Sequence, residues 1–247
     1  MNNNDITGFI HSIDTGGMVD GPGIRYLVFL AGCMLRCKYC HNPDTWDMHS
    51  GKEMTVGEIV RDVAKYKTYM KFSGGGVTVS GGEPFGQPKF LEAFLTECKA
   101  AGFHTAIDTS GFATGEIVRN ILEYTDLLLL DIKSINPNVH RSITGVPIFR
   151  ILNTLGLCES AGVSVWIRHV LVPGLTDDLD DIYKLAEHLK PLKCIEKIDV
   201  IPFHKTGEYK WRDLNIPYEL TDTQPPSAEL LNTVKGILGD KTGFASG

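Results

Sequence analysis

An open, partial α/β barrel of parallel strands is predicted by three observations. Apolar β-rich runs alternate with amphipathic helical patterns from residue 25 onward, about six such units are present, and polar residues gather where the strands end. Repeated strand–helix units require parallel pairing with right-handed crossovers. Six units are too few to close an eight-fold barrel, so the partial (β/α)6 barrel comes first and a doubly wound open sheet second. The 247 residues suit one domain, 1–247, and no boundary is legible.

Strands are expected at residues 25–31, 77–80, 104–108, 127–132, 163–170 and 197–202, each a short apolar run. Helices are expected at 55–70, 87–101, 115–124, 149–161 and 179–189, with a last one at 227–238 closing one edge. Thr55 followed by Glu58 reads as a capping box opening the first helix. Gly102 and Gly162 stand where a helix C-terminus takes glycine. Residues 205–228, polar and containing Pro217, Pro225 and Pro226, read as an ordered surface excursion, and 241–247 as a frayed tail.

A net charge of −6 with no basic run argues against a nucleic-acid surface, because neutralising phosphates needs concentrated Lys and Arg. No apolar run is long enough to span a membrane, and the amino terminus lacks the pattern of a signal peptide. The expected location is the cytoplasm. Cys98, Cys158 and Cys194 are scattered and read as reduced, partly buried thiols.

The remaining cysteines fall within eight residues, Cys33, Cys37 and Cys40, in a C-x3-C-x2-C spacing. Three thiolates can hold three corners of a four-iron cubane and leave the fourth iron open. An open coordination position is where a substrate or cofactor binds, by the logic that separates catalytic from structural zinc. The alternatives are a zinc site completed by His41, or a zinc-stabilised module or electron carrier; an odd cysteine count disfavours a disulfide. Polar residues follow the other predicted strands too: Ser80-Gly81-Gly82-Glu83-Pro84, Asp108-Thr109, Asp131-Ile132-Lys133, Arg168-His169 and His204. In parallel α/β folds the carboxyl ends of the strands build the active site.

The cysteine loop followed by Gly81-Gly82-Glu83-Pro84 resembles the radical S-adenosylmethionine superfamily. A phosphate loop is the alternative for the glycine runs, but its Lys-Ser/Thr ending is missing. Val19-Asp20-Gly21-Pro22-Gly23-Ile24-Arg25, Cys40-His41-Asn42, Asp44-Thr45-Trp46, Ser73-Gly74-Gly75-Gly76-Val77-Thr78, Val165-Trp166-Ile167-Arg168 and Lys210-Trp211 are similar to the pyruvate formate-lyase activating enzymes, which activate a glycyl radical enzyme. Residues 41–76 contain no cysteine, which favours this subtype over activases with a ferredoxin-like insert. Pro84 supports the superfamily more than the subtype, since some close formate-lyase activases depart from it.

The resemblance implies a partial barrel of the radical S-adenosylmethionine type and an oxidoreductase of anaerobic glucose metabolism. It implies that a [4Fe-4S] cluster reductively cleaves S-adenosylmethionine into methionine and a 5′-deoxyadenosyl radical, which takes the α-hydrogen of one glycine in pyruvate formate-lyase. A flavodoxin or ferredoxin would supply the electron, and a monomer is expected. By the same resemblance Cys33, Cys37 and Cys40 hold the cluster, Cys40 also touches the cofactor, Tyr39 and His41 flank the adenine end, and Gly82 lies against the methionine amino group. Asp131, Ile132 and Lys133 lie beside the cofactor, and Arg168 and His204 reach it or the incoming glycine loop. Asp108, Thr109 and Asp131 would hold Na+ or K+; alternatively Asp108 and Thr109 cap the next helix. Asp20, a turn residue by composition, would bind the partner's glycine loop. No general acid or base is expected. Trp211 is read as structural, with partner docking as the alternative for Lys210-Trp211. The rival functions are activation of another glycyl radical enzyme and radical chemistry on a small molecule.

Overall fold

A computed structural model describes residues 2–242. The chain forms two compact units, one of residues up to Met34 with Thr45–Leu129, the other of Leu35–Asp44 with residues from Leu130 on.

The first unit contains β1 (Thr7–Gly17), β2 (Arg25–Leu30), β3 (Lys52–Thr55), α1 (Val56–Ala64), α2 (Lys67–Ser73), β4 (Gly76–Gly81), α3 (Pro88–Ala100), β5 (His104–Thr109) and α4 (Gly115–Leu122). The next strand, β6 (Leu127–Asp131), begins there and ends in the second unit. The strand order in the first unit is β3-β1-β2-β4-β5-β6. β2 pairs parallel with β4 and β4 with β5, as the strand–helix alternation predicted. β1 and β3 are antiparallel additions that the sequence reading missed. Only Gly8, Ile10 and Gly17 of β1 are buried, and β3 is four residues opening on exposed Lys52 and Glu53. Neither carries enough alternation to register, and a short charged β3 is how an outer strand resists pairing with another chain.

The helix expected at 55–70 starts as predicted, with the capping box between Thr55 and Glu58 formed in both directions. It breaks after Ala64, and α2 ends at Gly74 in the left-handed region, φ 69°. Gly75 then approaches β2 so closely that a Cβ would stand 1.9 Å from Ile24 O. The Gly74-Gly75-Gly76 run is thus accounted for by a helix stop and a backbone crossing.

The second unit contains the end of β6, then α5 (Pro137–Thr144), α6 (Phe149–Ala161), β7 (Ser164–Leu171), α7 (Leu179–Leu189), β8 (Ile195–Pro202), α8 (Glu208–Asp213) and α9 (Ala228–Thr242). Its strand order is β6-β7-β8, with β7 and β8 parallel. Gly162 ends α6 in the left-handed region, φ 68°, as expected. α5 and α8 were not foreseen: α5 has eight residues, and α8 is a six-residue turn inside the predicted excursion. The last helix runs on to Thr242, and the rest of the predicted tail lies outside the described residues. No helix among the described residues is long and apolar enough to cross a membrane. The predicted α/β architecture, mostly parallel and open, is the observed one.

Candidate active site

In the first unit, β2 leads into Gly32 (φ 92°) and Cys33. The N–H groups of these two residues donate to Thr45 O at 2.7 Å and Trp46 O at 3.2 Å. The loop after the neighbouring β4 lies directly against them: Gly82 N–H donates to Leu30 O and Glu83 N–H to Gly32 O, both at 2.8 Å. A Cβ on Gly82 would stand 2.3 Å from Gly32 O, so the approach of two backbones already demands glycine there.

Glu83 received no role from the sequence, and it organises this end of the unit. It is 1% exposed. Its carboxylate accepts from the hydroxyls of Thr109 and Ser110, and from the N–H groups of Ser110 at 3.0 Å and Phe85 at 3.2 Å. Burial raises its pKa against these donors, which favour the charged form. One carboxylate therefore ties the glycine-rich loop to the end of β5. The signal was present in the sequence as an acid inside a glycine motif, where capping or binding would have been the natural suspicion.

Asp108 accepts from Ser80 Oγ at 2.8 Å. The Thr109 hydroxyl donates to Glu83 and accepts from Gly111 N–H at 2.8 Å. Neither caps the following helix, since Thr114 holds the N-cap position of α4.

Asp20 lies elsewhere. Its carbonyl accepts from Thr78 Oγ1 at 2.7 Å, close to the start of β2 and at the other end of that strand from Cys33. Arg25, fully buried, anchors this corner through Thr78 Oγ1 at 2.9 Å, Val77 O and His104 Nδ1 at 3.1 Å. Burial lowers the Arg25 pKa to about 10 despite the nearby Asp126 and Asp20. The other predicted residues of this unit stand at the carboxyl ends of the strands; Asp20 does not.

In the second unit, the cysteine loop is fastened to the carboxyl terminus of α5. Arg36 N–H donates to Thr144 O at 2.9 Å and Lys38 N–H to Ile143 O at 3.0 Å, which satisfies carbonyls the helix leaves open. Cys40 N–H donates to Cys37 O at 3.1 Å and closes the turn that carries both thiols. Tyr39 is buried with Ile143, Val172, Phe203 and Leu220, and its hydroxyl has no partner among the described residues. The ring nitrogens of buried His140, on α5, make no hydrogen bond of good geometry among the described residues, and burial, aided by the charge of Lys133, lowers its pKa to about 4 against a weak contact with the Ser134 backbone.

Lys133 Nζ lies 2.8 Å from Asp131 Oδ2 and 5.5 Å from the centre of the Tyr39 ring. Burial alone would discharge both ions, but their mutual attraction prevails: the Asp131 pKa is lowered, with Arg168 assisting, and the Lys133 pKa is raised. Ile132 N–H donates to Arg168 O at 3.0 Å, and Ile132 O lies 2.9 Å from His169 Nδ1. Arg168 is half-buried on β7, while His204 is exposed just past β8. The His41 ring lies 4.3 Å from that of His204, and His41 Nε2–H donates to His204 O at 3.1 Å. Burial lowers the His41 pKa. This unit therefore brings Cys37, Tyr39, Cys40 and His41 together with Lys133 and His204. Among the described residues no three His, Cys, Asp or Glu side chains gather as the ligands of a single ion.

Residues 27–186 match the radical SAM superfamily. Pyruvate formate-lyase 1-activating enzyme of Escherichia coli is 43% identical over 235 residues, covering 94% of this chain and 96% of that protein. Pyruvate formate-lyase-activating enzyme of Staphylococcus epidermidis is 46% identical over 231 residues, 91% of this chain and 92% of that one. Among solved structures, a domain of pyruvate-formate lyase-activating enzyme from Bacteroides vulgatus matches with a TM-score of 0.59 at 32% identity, covering 70% of this chain and 98% of that one. Streptococcus suis SuiB bound to precursor peptide SuiA, at 17% identity, shares the fold with a TM-score of 0.69 over 96% of this chain and 50% of that one. With a family model over residues 27–186 and identities of 43–46% over more than nine-tenths of its length, the chain belongs to the radical SAM superfamily and, within it, to the pyruvate formate-lyase activating enzymes.

Proposed function

We propose that this chain activates pyruvate formate-lyase by generating a glycyl radical on it, with Cys33, Cys37 and Cys40 as the ligands of a [4Fe-4S] cluster. The observation that carries the reading is the identity of 43% over nearly the whole chain to an enzyme named for that activity. The donor set fits the cluster: these three thiols are partly exposed, whereas Cys98, Cys158 and Cys194 are buried and inert, burial raising their pKa values. When bound, the cluster and S-adenosylmethionine supply an electron and a carbon-centred radical able to remove a glycine hydrogen.

The protein's own residues bind and orient. Lys133, held charged by Asp131, offers a cation for the cofactor carboxylate. Tyr39 and His41 are read as flanking the adenine end of the cofactor, and Gly82 as lying against its methionine amino group. Arg168 and His204 are read as contacts for the cofactor or the incoming glycine loop. Asp108, Thr109 and Asp131 are read as oxygen ligands for Na+ or K+. Asp20 is read as a contact for the partner's loop, which requires that loop or the 18–24 turn to reach beyond the strand ends. None of these groups is assigned proton transfer. A flavodoxin or ferredoxin as donor, a cytoplasmic location, a monomer and a single domain complete the reading.

Anaerobic reconstitution tests it. Four irons per chain and 5′-deoxyadenosine formed upon reduction are expected, with the nucleoside rising when pyruvate formate-lyase is added. A single firmly bound zinc without iron would sink it, and cleavage driven only by a small molecule would replace it with the rival reading.

A further inference from the structure

The C-terminal half of the cysteine loop is held by more than its turn and the α5 carbonyls. Trp211, buried on α8, donates its indole N–H to Cys40 O at 2.8 Å. Lys210 Nζ bridges Asn42 Oδ1 at 2.8 Å and the Asp44 carboxylate at 2.9 Å. Gly207, just before α8, presses on the same stretch: a Cβ there would stand 2.8 Å from His41 Cα. Consecutive side chains of one short helix thus grip the carbonyl of Cys40 and the polar groups two and four residues beyond it.

We propose that Lys210 and Trp211 are positioning residues that latch Cys40–Asp44 into its working conformation before any cluster is bound. The proposal rests on the reading of Cys37 and Cys40 as cluster ligands. The physical case is one of preorganisation. A loop ordered only by its metal would have to meet its ordering cost at loading. Here an indole donor and an ammonium bridge, both from a folded helix, order it beforehand. Tryptophan suits the task because its ring packs beside Tyr218, centroids 5.2 Å apart, while its single donor is aimed at one carbonyl. Lysine suits it because one compact cation reaches two oxygens from different residues.

The test uses amide hydrogen exchange on the metal-free full chain, comparing wild type with Trp211→Phe, Lys210→Met and Lys210→Arg. Trp211→Phe keeps a ring in place and removes only the donor. Loop amides between Tyr39 and Asp44 are expected to exchange roughly fivefold faster in Trp211→Phe, the factor for one ordinary hydrogen bond, while β7 and β8 amides stay unchanged. Lys210→Met should do the same, and Lys210→Arg, which keeps the charge without the compact head, should fall between Lys210→Met and wild type. In the loaded protein, iron loss to a chelator should accelerate by a similar factor, and the g-values of the reduced cluster should shift in Trp211→Phe. Unchanged loop exchange in both variants, or acceleration spread evenly over β7 and β8, would overturn the latch. If wild type binds no iron, the ligand reading has failed and the proposal with it, although the exchange difference persists and tells that failure apart from a missing latch.

Discussion

Replacing Glu83 by glutamine probes the carboxylate that ties the glycine-rich loop to β5. One carboxylate oxygen accepts from the Thr109 hydroxyl and Phe85 N–H, the other from Ser110 N–H and the Ser110 hydroxyl. An amide must point its NH2 at one of these pairs. The hydroxyl of that pair can rotate and accept, but the backbone N–H cannot. One buried donor is therefore stranded, at a cost of about 1–3 kcal/mol. The bonds at the remaining oxygen lose their charge assistance, roughly another 1 kcal/mol. Relief of the burial penalty that raises the Glu83 pKa offsets part of this. The net expectation is a loss of about 2 kcal/mol, which for a chain of this size lowers the midpoint by about 4–8 °C. The assay is anaerobic thermal unfolding of metal-free protein, with Glu53→Gln as the control. Glu53 is exposed on β3 and accepts from Thr7 Oγ1, so its substitution should fall within about 0.5 kcal/mol of wild type. If Glu83→Gln melts together with that control, the carboxylate is not the tie described.

Three further outcomes follow from the same structure. Gly75→Ala places a methyl 1.9 Å from Ile24 O and should destabilise by about 3 kcal/mol, read as a shift in denaturant midpoint at constant slope. His140 is held neutral in the fold with a pKa lowered to about 4, so its contribution is complete above the ordinary histidine range and is lost as pH falls from about 6.5 towards 4. The loss should be on the order of 2 kcal/mol, measured by chemical unfolding across that window, and His140→Gln should flatten it. Cys37→Ala should abolish S-adenosylmethionine cleavage and leave far-ultraviolet circular dichroism unchanged, because the loop keeps its bonds to Ile143 O and Thr144 O.

The architecture was legible because the six strands foreseen are short apolar runs separated by strongly amphipathic helices, a pattern with few other solutions. Their polar ends were legible for the same reason: once the strands are placed, Cys33, Gly82, Thr109 and Asp131 fall where they were expected. What escaped was mostly short, the exception being the eleven-residue β1, which buries only Gly8, Ile10 and Gly17 and so shows no apolar alternation. β3, α5 and α8 span four, eight and six residues, too few for a period to emerge. α5 did carry local signals, Asn136-Pro137 at its start and Gly145 at its end, and weighting them would have found it. The partnerships of Glu83 and of Lys210-Trp211 were not legible, because they join positions far apart in sequence through side chains whose reach only the fold decides. Asp20 shows the reverse difficulty: a role carried by resemblance alone met a position at the amino-terminal end of β2 that the turn composition did not foretell.

The most direct test of the account is electron paramagnetic resonance of pyruvate formate-lyase incubated anaerobically with this protein, S-adenosylmethionine and a reductant. A glycine-centred doublet that appears with wild type and is missing with Cys37→Ala is the predicted result. Reductive cleavage of S-adenosylmethionine with no doublet on the partner would contradict the account.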